Sequence, residues 1–267
     1  MTGFPQPEVF PTAEAIGDHL AREIAAGLRA ASARGRPYVL GCPAGRTPLP
    51  VYGALAEQAR GLDLSDLHLI MMDEFVVRDS EGWRCVPTAS HFSCVGFALR
   101  EILSRLPELP PANLHAPDPG DPVAYEGLIE RLGGIDLFLL ASGASDGHVA
   151  FNPPGSTLES RTRVVQLAEA TREDNLSTFP DFGSLAAVPT HGVSVGLGTI
   201  ALHSRAAVMI LHGAHKAPAL ERLIDLQGFD PAWPASVVYA CRAPRLVIDA
   251  DVAAAASDAL EAHHLSA

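Results

Sequence analysis

The stretch Ile135-Asp136-Leu137-Phe138-Leu139-Leu140-Ala141-Ser142-Gly143-Ala144-Ser145-Asp146-Gly147-His148-Val149-Ala150-Phe151-Asn152-Pro153-Pro154-Gly155-Ser156 decides how this chain is read. Its first eight residues form the short apolar run that a parallel strand buried on both faces requires. The small residues that follow let the backbone turn sharply, so Asp146 and His148 emerge at a strand's carboxyl end. In open α/β sheets that is where ligands bind. An Asp two residues from a His can orient the imidazole and tune its basicity near neutral pH. Such a pair also serves merely to cap turns, so the rest of the chain has to decide between the two uses.

Outward from this stretch the pattern alternates. Ile16, Leu20, Ile24 and Leu28 recur at helical spacing between Thr12 and Gly35, which predicts a helix over 12–34. A strand over 38–41 then enters a tight loop, and helical periodicity resumes over 49–59. A second strand, 67–72, ends in Asp73-Glu74 and is followed by a helix over 90–106 that starts at a serine cap. Another helix closes over 127–132. Past the quoted stretch come a helix near 167–177, a strand over 206–211 and a helix over 217–226. Short strands over 236–240 and 246–249 and a helix over 251–260 complete the series. This order predicts an α/β fold, a single domain over 1–267 with a mostly parallel sheet and helices on both faces. The Pro- and Gly-rich stretches 107–122 and 228–235 read as surface loops.

Composition narrows the function. Of the 267 residues 48% are hydrophobic, enough for a packed core. A formal net charge of −12 without a Lys/Arg cluster argues against nucleic acid as a partner. Arginine supplies the remaining positive charge, because Lys216 is the only lysine. Cys42, Cys85, Cys94 and Cys241 show no Cys-x-x-Cys pairing and read as free thiols of a reducing compartment. Met1–Pro7 has neither the basic nor the apolar part of a signal peptide, and no run reaches the roughly 18 apolar residues of a membrane span. A cytoplasmic location without membrane association is expected.

Three strands end in polar residues, and ligand binding at strand ends predicts that these belong to one site. Gly41-Cys42-Pro43-Ala44-Gly45-Arg46-Thr47-Pro48 leads into a helix start, where free N–H groups favour an anion. It lacks the Gly-Lys-Ser/Thr ending of a nucleotide P-loop. The second end is Met72-Asp73-Glu74-Phe75 and the third Asp146-Gly147-His148. With Ser160-Arg161-Thr162-Arg163, Val195-Gly196-Leu197-Gly198-Thr199 and His215-Lys216-Ala217, these motifs stand in the order seen in glucosamine-6-phosphate deaminases. The chain resembles that family from about residue 8 to 255. Phe151-Asn152 sets it apart from the related 6-phosphogluconolactonases, which usually show Thr-Ala-Ser-Leu-Phe after the Asp-Gly-His.

The resemblance implies a modified Rossmann-like sheet, a phosphorylated sugar as substrate, no metal and no nucleotide cofactor. It implies conversion of a 2-amino aldose phosphate to a ketose phosphate and ammonia. His148 would move the ring-opening proton, Asp146 would orient His148, and Asp73 would carry a proton from C2 to C1. The phosphate would be held by Pro43, Ala44, Gly45, Arg46, Thr47 and Lys216. Cys42 beside this loop lacks a His neighbour in sequence and is not expected to be reactive.

The chain departs from the family at two positions. Pro153 stands where a Glu joins the ring-opening His, and Ser177 where an arginine grips the phosphate. A hydroxyl does not replace a bidentate guanidinium, but Arg46 in the phosphate loop offers charge from another side. Allosteric members carry a basic residue after the Ser-Arg-Thr-Arg segment, where this chain has Val164-Val165-Gln166, so hyperbolic kinetics are expected. Two alternatives stay open beside the deaminase: an enzyme acting on another sugar phosphate, lactone hydrolysis included, and a phosphosugar-binding relative without turnover. Residues 160–185 are the candidate lid, and a homo-oligomer is compatible with the sequence without being fixed by it.

Overall fold

The computed structural model describes residues 5–266; Met1–Phe4, part of the stretch read above for a signal peptide, and Ala267 lie outside the described residues. In chain order the elements are β1 (Glu8–Phe10), α1 (Ala13–Ser32), β2 (Tyr38–Cys42), α2 (Leu49–Gln58), β3 (Leu67–Met71), β4 (Asp73–Asp79), β5 (Gly82–Cys85) and α3 (Cys94–Glu101). There follow β6 (Leu114–His115), α4 (Pro122–Arg131), β7 (Ile135–Ala141), β8 (Arg163–Gln166), α5 (Glu169–Thr178), β9 (His191–Ser194) and α6 (Leu197–His203). The chain then forms β10 (Ser204–Leu211), α7 (Ala217–Leu226), β11 (Pro244–Asp249), α8 (Ala250–Ala255) and α9 (Ser257–Ser266).

Seven strands pair in parallel in the order β1-β11-β10-β7-β2-β3-β6. Strand β7 shows why its sequence is apolar throughout. Leu137 and Leu139 point into one layer with Leu20, Ile24 and Tyr52, while Phe138 and Leu140 point into the other with Ile129, Ile200 and Leu220. A strand alternates its side chains between faces, so two buried faces demand an unbroken apolar run. Asp136 interrupts that run for a reason. Its carboxylate accepts the Val39 N–H at 3.0 Å and pairs with Arg36 at 2.8 Å, tying β7 to the start of β2 at the end remote from the carboxyl termini.

A second sheet, antiparallel in the order β5-β4-β9-β8, grows from the first. Only Met72 separates β3 from β4. Its N–H donates to Cys42 O at 3.2 Å in the large sheet, and its carbonyl accepts from Val195 N at 2.8 Å. Met72 is therefore held from both sides, and Asp73 stands on the seam between the sheets.

The structure corrects the sequence reading in several places. Residues 236–240 are not a strand but the end of a 3₁₀ segment, Pro234–Ala240, whose Val237 and Val238 pack against a face of the sheet instead of joining it. A short apolar run does not by itself distinguish a buried strand from a buried helical turn. The helix expected over 90–106 begins only at Cys94, because Ser93 rather than Ser90 supplies the cap: its Oγ accepts Gly96 N at 2.9 Å. The last helix is divided at Ala256, and α4 begins earlier than expected, at Pro122 after the Asp121 cap. Strand β6 lies within the 107–122 loop, and the whole antiparallel sheet was not anticipated. The four cysteines are free.

Candidate active site

The carboxyl ends of β2, β3, β7 and β10 open into a cleft of about 290 Å³ roofed by α5. Pro43, Ala44, Gly45, Arg46, Thr47, Asp73, His148 and Lys216 line it, so eight of the nine residues proposed from sequence share one space. The ninth, Asp146, stands behind His148. Its Oδ1 lies 2.6 Å from His148 Nδ1 and also accepts the His148 N–H at 3.0 Å. Gly147 makes this turn with φ +66°, and a Cβ there would stand 2.3 Å from the Trp233 ring. Only glycine fits that position.

Thr171 on α5 completes the arrangement by donating its hydroxyl to Asp146 Oδ2 at 2.8 Å. Burial alone would raise the Asp146 carboxyl, but the hydrogen bond and charge of His148 outweigh it and bring it down to about 2. Asp146 is thus an anion fixed against Nδ1, which leaves Nε2 of the same ring for a ligand. Asp146, His148 and Asp174 also have donor atoms within 4.8 Å of one another, the one such group of three His, Cys, Asp or Glu side chains among the described residues. The direct 2.6 Å bond gives Asp146 and His148 the geometry of an acid/base pair.

Asp73 and Glu74 are adjacent carboxylates with different tasks. Glu74 is fully buried and accepts Cys94 N and Val95 N at 2.9 Å, Ser93 Oγ at 2.7 Å and Phe75 N at 2.8 Å. It anchors the start of α3 and faces away from the cleft. Asp73 is only 5% exposed and turns into the cleft. Burial, reinforced by the Glu74 charge, pushes its carboxyl up to about 7, although the Cys94 thiol and His148 pull the other way. A carboxylate with a pKa near neutrality is well placed to take and return a proton.

The other end of the cleft suits an anion. Gly45 has φ +89° with open space where a Cβ would be, so the loop backbone is accessible to a ligand. Among the described residues no protein group accepts from the N–H groups of Ala44, Gly45, Arg46 and Thr47. The α2 terminus itself contributes less than expected, since Pro48 and Pro50 lack N–H groups and Leu49 N bonds Arg46 O at 3.3 Å. The loop, rather than the helix dipole, offers the N–H groups that an anion would need. Lys216 projects across it with Nζ 2.7 Å from Ser142 O. Burial lowers the lysine's pKa, Asp174 counteracts that, and Arg46 adds to it. Arg46 is exposed on the rim and has no carboxylate partner among the described residues.

Several site residues escaped the sequence reading. Thr171 and Asp174 are distant in sequence from the strand ends they face, and no local pattern singles them out, while His215, part of the His215-Lys216-Ala217 motif, was not assigned to the site but also lines the cleft. Asn152 and Arg163 prove to be braces. Asn152 donates to Val149 O and Val195 O and accepts from Arg163 at 3.0 Å, which fixes the loop beyond His148. Pro153 does not reach the cleft; it borders a separate surface depression with Glu169 and Arg172. Ser177 lines the cleft from α5 but brings no charge. Cys42 is fully buried, and burial pushes its thiol up to about 12, in keeping with an unreactive group. No helix among the described residues is long and apolar enough to cross a membrane.

Comparison with known proteins agrees with this fold. Residues 11–248 match the family described as glucosamine-6-phosphate isomerases/6-phosphogluconolactonase. The chain is 40% identical over 194 residues to a glucosamine-6-phosphate deaminase of Pseudarthrobacter chlorophenolicus, covering 70% of each chain. It is 36% identical over 250 residues to the glucosamine-6-phosphate deaminase of Cutibacterium acnes, covering 91% of this chain and 88% of that one. Among solved structures, a monomeric glucosamine-6-phosphate deaminase superimposes with a TM-score of 0.81 at 26% identity, over 94% of this chain and 99% of that one. The chain belongs to the glucosamine-6-phosphate isomerase and 6-phosphogluconolactonase family.

Proposed function

We propose that this protein is a glucosamine-6-phosphate deaminase: it isomerises the aldose phosphate and releases the amine as ammonia, one water being consumed. The observation that supports this most is that Asp73 and His148 face one cleft from different strand ends, beside an anion cradle. The phosphate sits on the N–H groups of residues 44–47 and the Thr47 hydroxyl, with Lys216 and Arg46 supplying charge. His148 Nε2 takes the proton of the anomeric hydroxyl and returns one to the ring oxygen as the C1–O5 bond opens. Asp146 holds the imidazolium that forms between these two transfers. The carboxylate of Asp73 then abstracts the C2 proton and redelivers it at C1, acting first as base and then as acid. Loss of the C2 amine by hydrolysis completes the reaction. A transition state of proton transfer at carbon gains from a base whose pKa is near the working pH.

Pro153 favours one further reading. Lactone hydrolysis, named for some members of the family, needs His148 to activate water but no C2 deprotonation. Parallel assays with glucosamine 6-phosphate and 6-phosphogluconolactone separate the two. Ammonia release with the first and no hydrolysis of the second supports the deaminase; the reverse pattern assigns the lactonase chemistry. Binding of both without turnover of either would leave a phosphosugar sensor.

A further inference from the structure

The roof of the cleft carries a carboxylate that the mechanism above does not use. Asp174 lies one turn along α5 from Thr171, so both side chains leave the same helix face. Thr171 holds Asp146. Asp174 holds the loop before it: Oδ1 accepts Ser145 Oγ at 2.7 Å, and Oδ2 accepts Ala144 N at 3.2 Å. These bonds fix the carboxylate on the cleft wall, where an oxygen of Asp174 stands within 4.8 Å of a ring nitrogen of His148. Three carboxylates therefore act on the imidazole: Asp146 on its own loop, Asp174 from α5 and, through its charge, Asp73 from β4. The other titratable or charged groups of the cleft are Arg46 in the loop after β2, His215 and Lys216 before α7, the lysine attracted by Asp174, and the Cys94 thiol on α3.

We propose that Asp174 is a positioning residue for His148, a second carboxylate that stabilises the imidazolium formed during ring opening. This rests on the reading of His148 as the ring-opening group. In that step the O1–H bond breaks and the proton passes to Nε2. The C1–O5 bond then breaks with its electron pair moving to O5, which receives the proton back. Asp174 takes no part in these transfers and touches no reacting atom. A negative charge within about 4–6 Å favours the protonated imidazole by about one pH unit or more.

The decisive comparison is between the wild type, Asp174→Asn and Asp174→Glu. Asparagine can accept Ala144 N–H on its single oxygen and donate its amide N–H to Ser145 Oγ, which removes the charge while leaving a purely structural latch in place. The first readout is the titration of the His148 ring nitrogens by NMR in the ligand-free protein, which needs no substrate. Asp174→Asn lowers the His148 pKa by about one unit, and Asp174→Glu restores most of it. The second is steady-state kinetics with glucosamine 6-phosphate: kcat falls about tenfold in the Asn variant, KM does not rise, and Glu recovers part of kcat. An unmoved His148 titration in Asp174→Asn overturns the proposal, as does an unchanged kcat. If the wild type releases no ammonia, the deaminase reading fails, while the titration still decides whether Asp174 acts on His148.

Discussion

The floor of the cleft, built by the carboxyl ends of β2, β3 and β7, carries Asp73, His148 and the loop of residues 43–47, whereas its roof, α5, brings Asp174 and the uncharged Ser177. The floor is rigid by construction. Asp73 leaves a residue bonded into two sheets, and the loop carrying His148 is braced by Asn152 and Trp233. The roof is half-exposed, and only Thr171 on it is fully buried. Groups that transfer protons need fixed positions, and buried strand ends supply them; groups that choose among substrates can sit on a more exposed helix. On the proposed function, proton transfer belongs to the floor, while the roof supports it through Thr171 and Asp174 and borders the cleft at Ser177.

Changes in the floor are expected to cost most. His148→Gln removes the ring-opening group and lowers kcat on the cyclic substrate by about 10³-fold while substrate binding persists. A loss of less than tenfold would move the ring-opening role elsewhere. At the anion end, Lys216→Ala raises KM by about 10–100-fold, the worth of a charged hydrogen bond, with kcat affected far less. An equal loss in kcat and no change in KM would place the lysine at the reacting carbons instead.

Roof and rim changes are smaller and sharpen the contrast. Arg46→Ala weakens binding of phosphorylated sugars about two- to fivefold, and Ser177→Arg strengthens it, because a guanidinium returns to the face of α5. Affinity unchanged by Arg46→Ala would show that Arg46 does not make up for the charge absent at Ser177.

A further effect concerns stability rather than activity. Burial raises the Asp73 carboxyl from an ordinary 3.8 to about 7, so folding favours its protonated form. The resulting stabilisation is complete below the ordinary value and lost as pH rises through about 7. Asp73→Asn therefore melts higher than the wild type at pH above about 8 and not at pH near 4. The same ionisation predicts that kcat/KM of the wild type climbs with pH through a limb near 7, since the base must be charged to act.

Legibility in the sequence followed the same division. Strands β2, β3, β7 and β10 were readable because both faces are buried and the apolar run is continuous. The antiparallel sheet was not. Its β5 and β8 are short and half-exposed, and β4 follows β3 after one residue without a turn signal. The Val237-Val238 run was read as a strand because its burial is visible in sequence while its backbone is not. In the site, Asp73, Asp146 and His148 follow strand ends and could be found. Thr171 meets Asp146 across 25 residues, and Asp174 meets Ser145 across 29, contacts that only the folded chain creates.

The most direct test of proton transfer by the floor is ammonia release from glucosamine 6-phosphate by wild type and Asp73→Asn, with sugar-phosphate binding measured alongside. Ammonia and fructose 6-phosphate should form in equal amounts with the wild type. In the variant the rate should drop by about 10³-fold while binding is retained. Full activity in Asp73→Asn, or no ammonia from the wild type, would contradict the assignment.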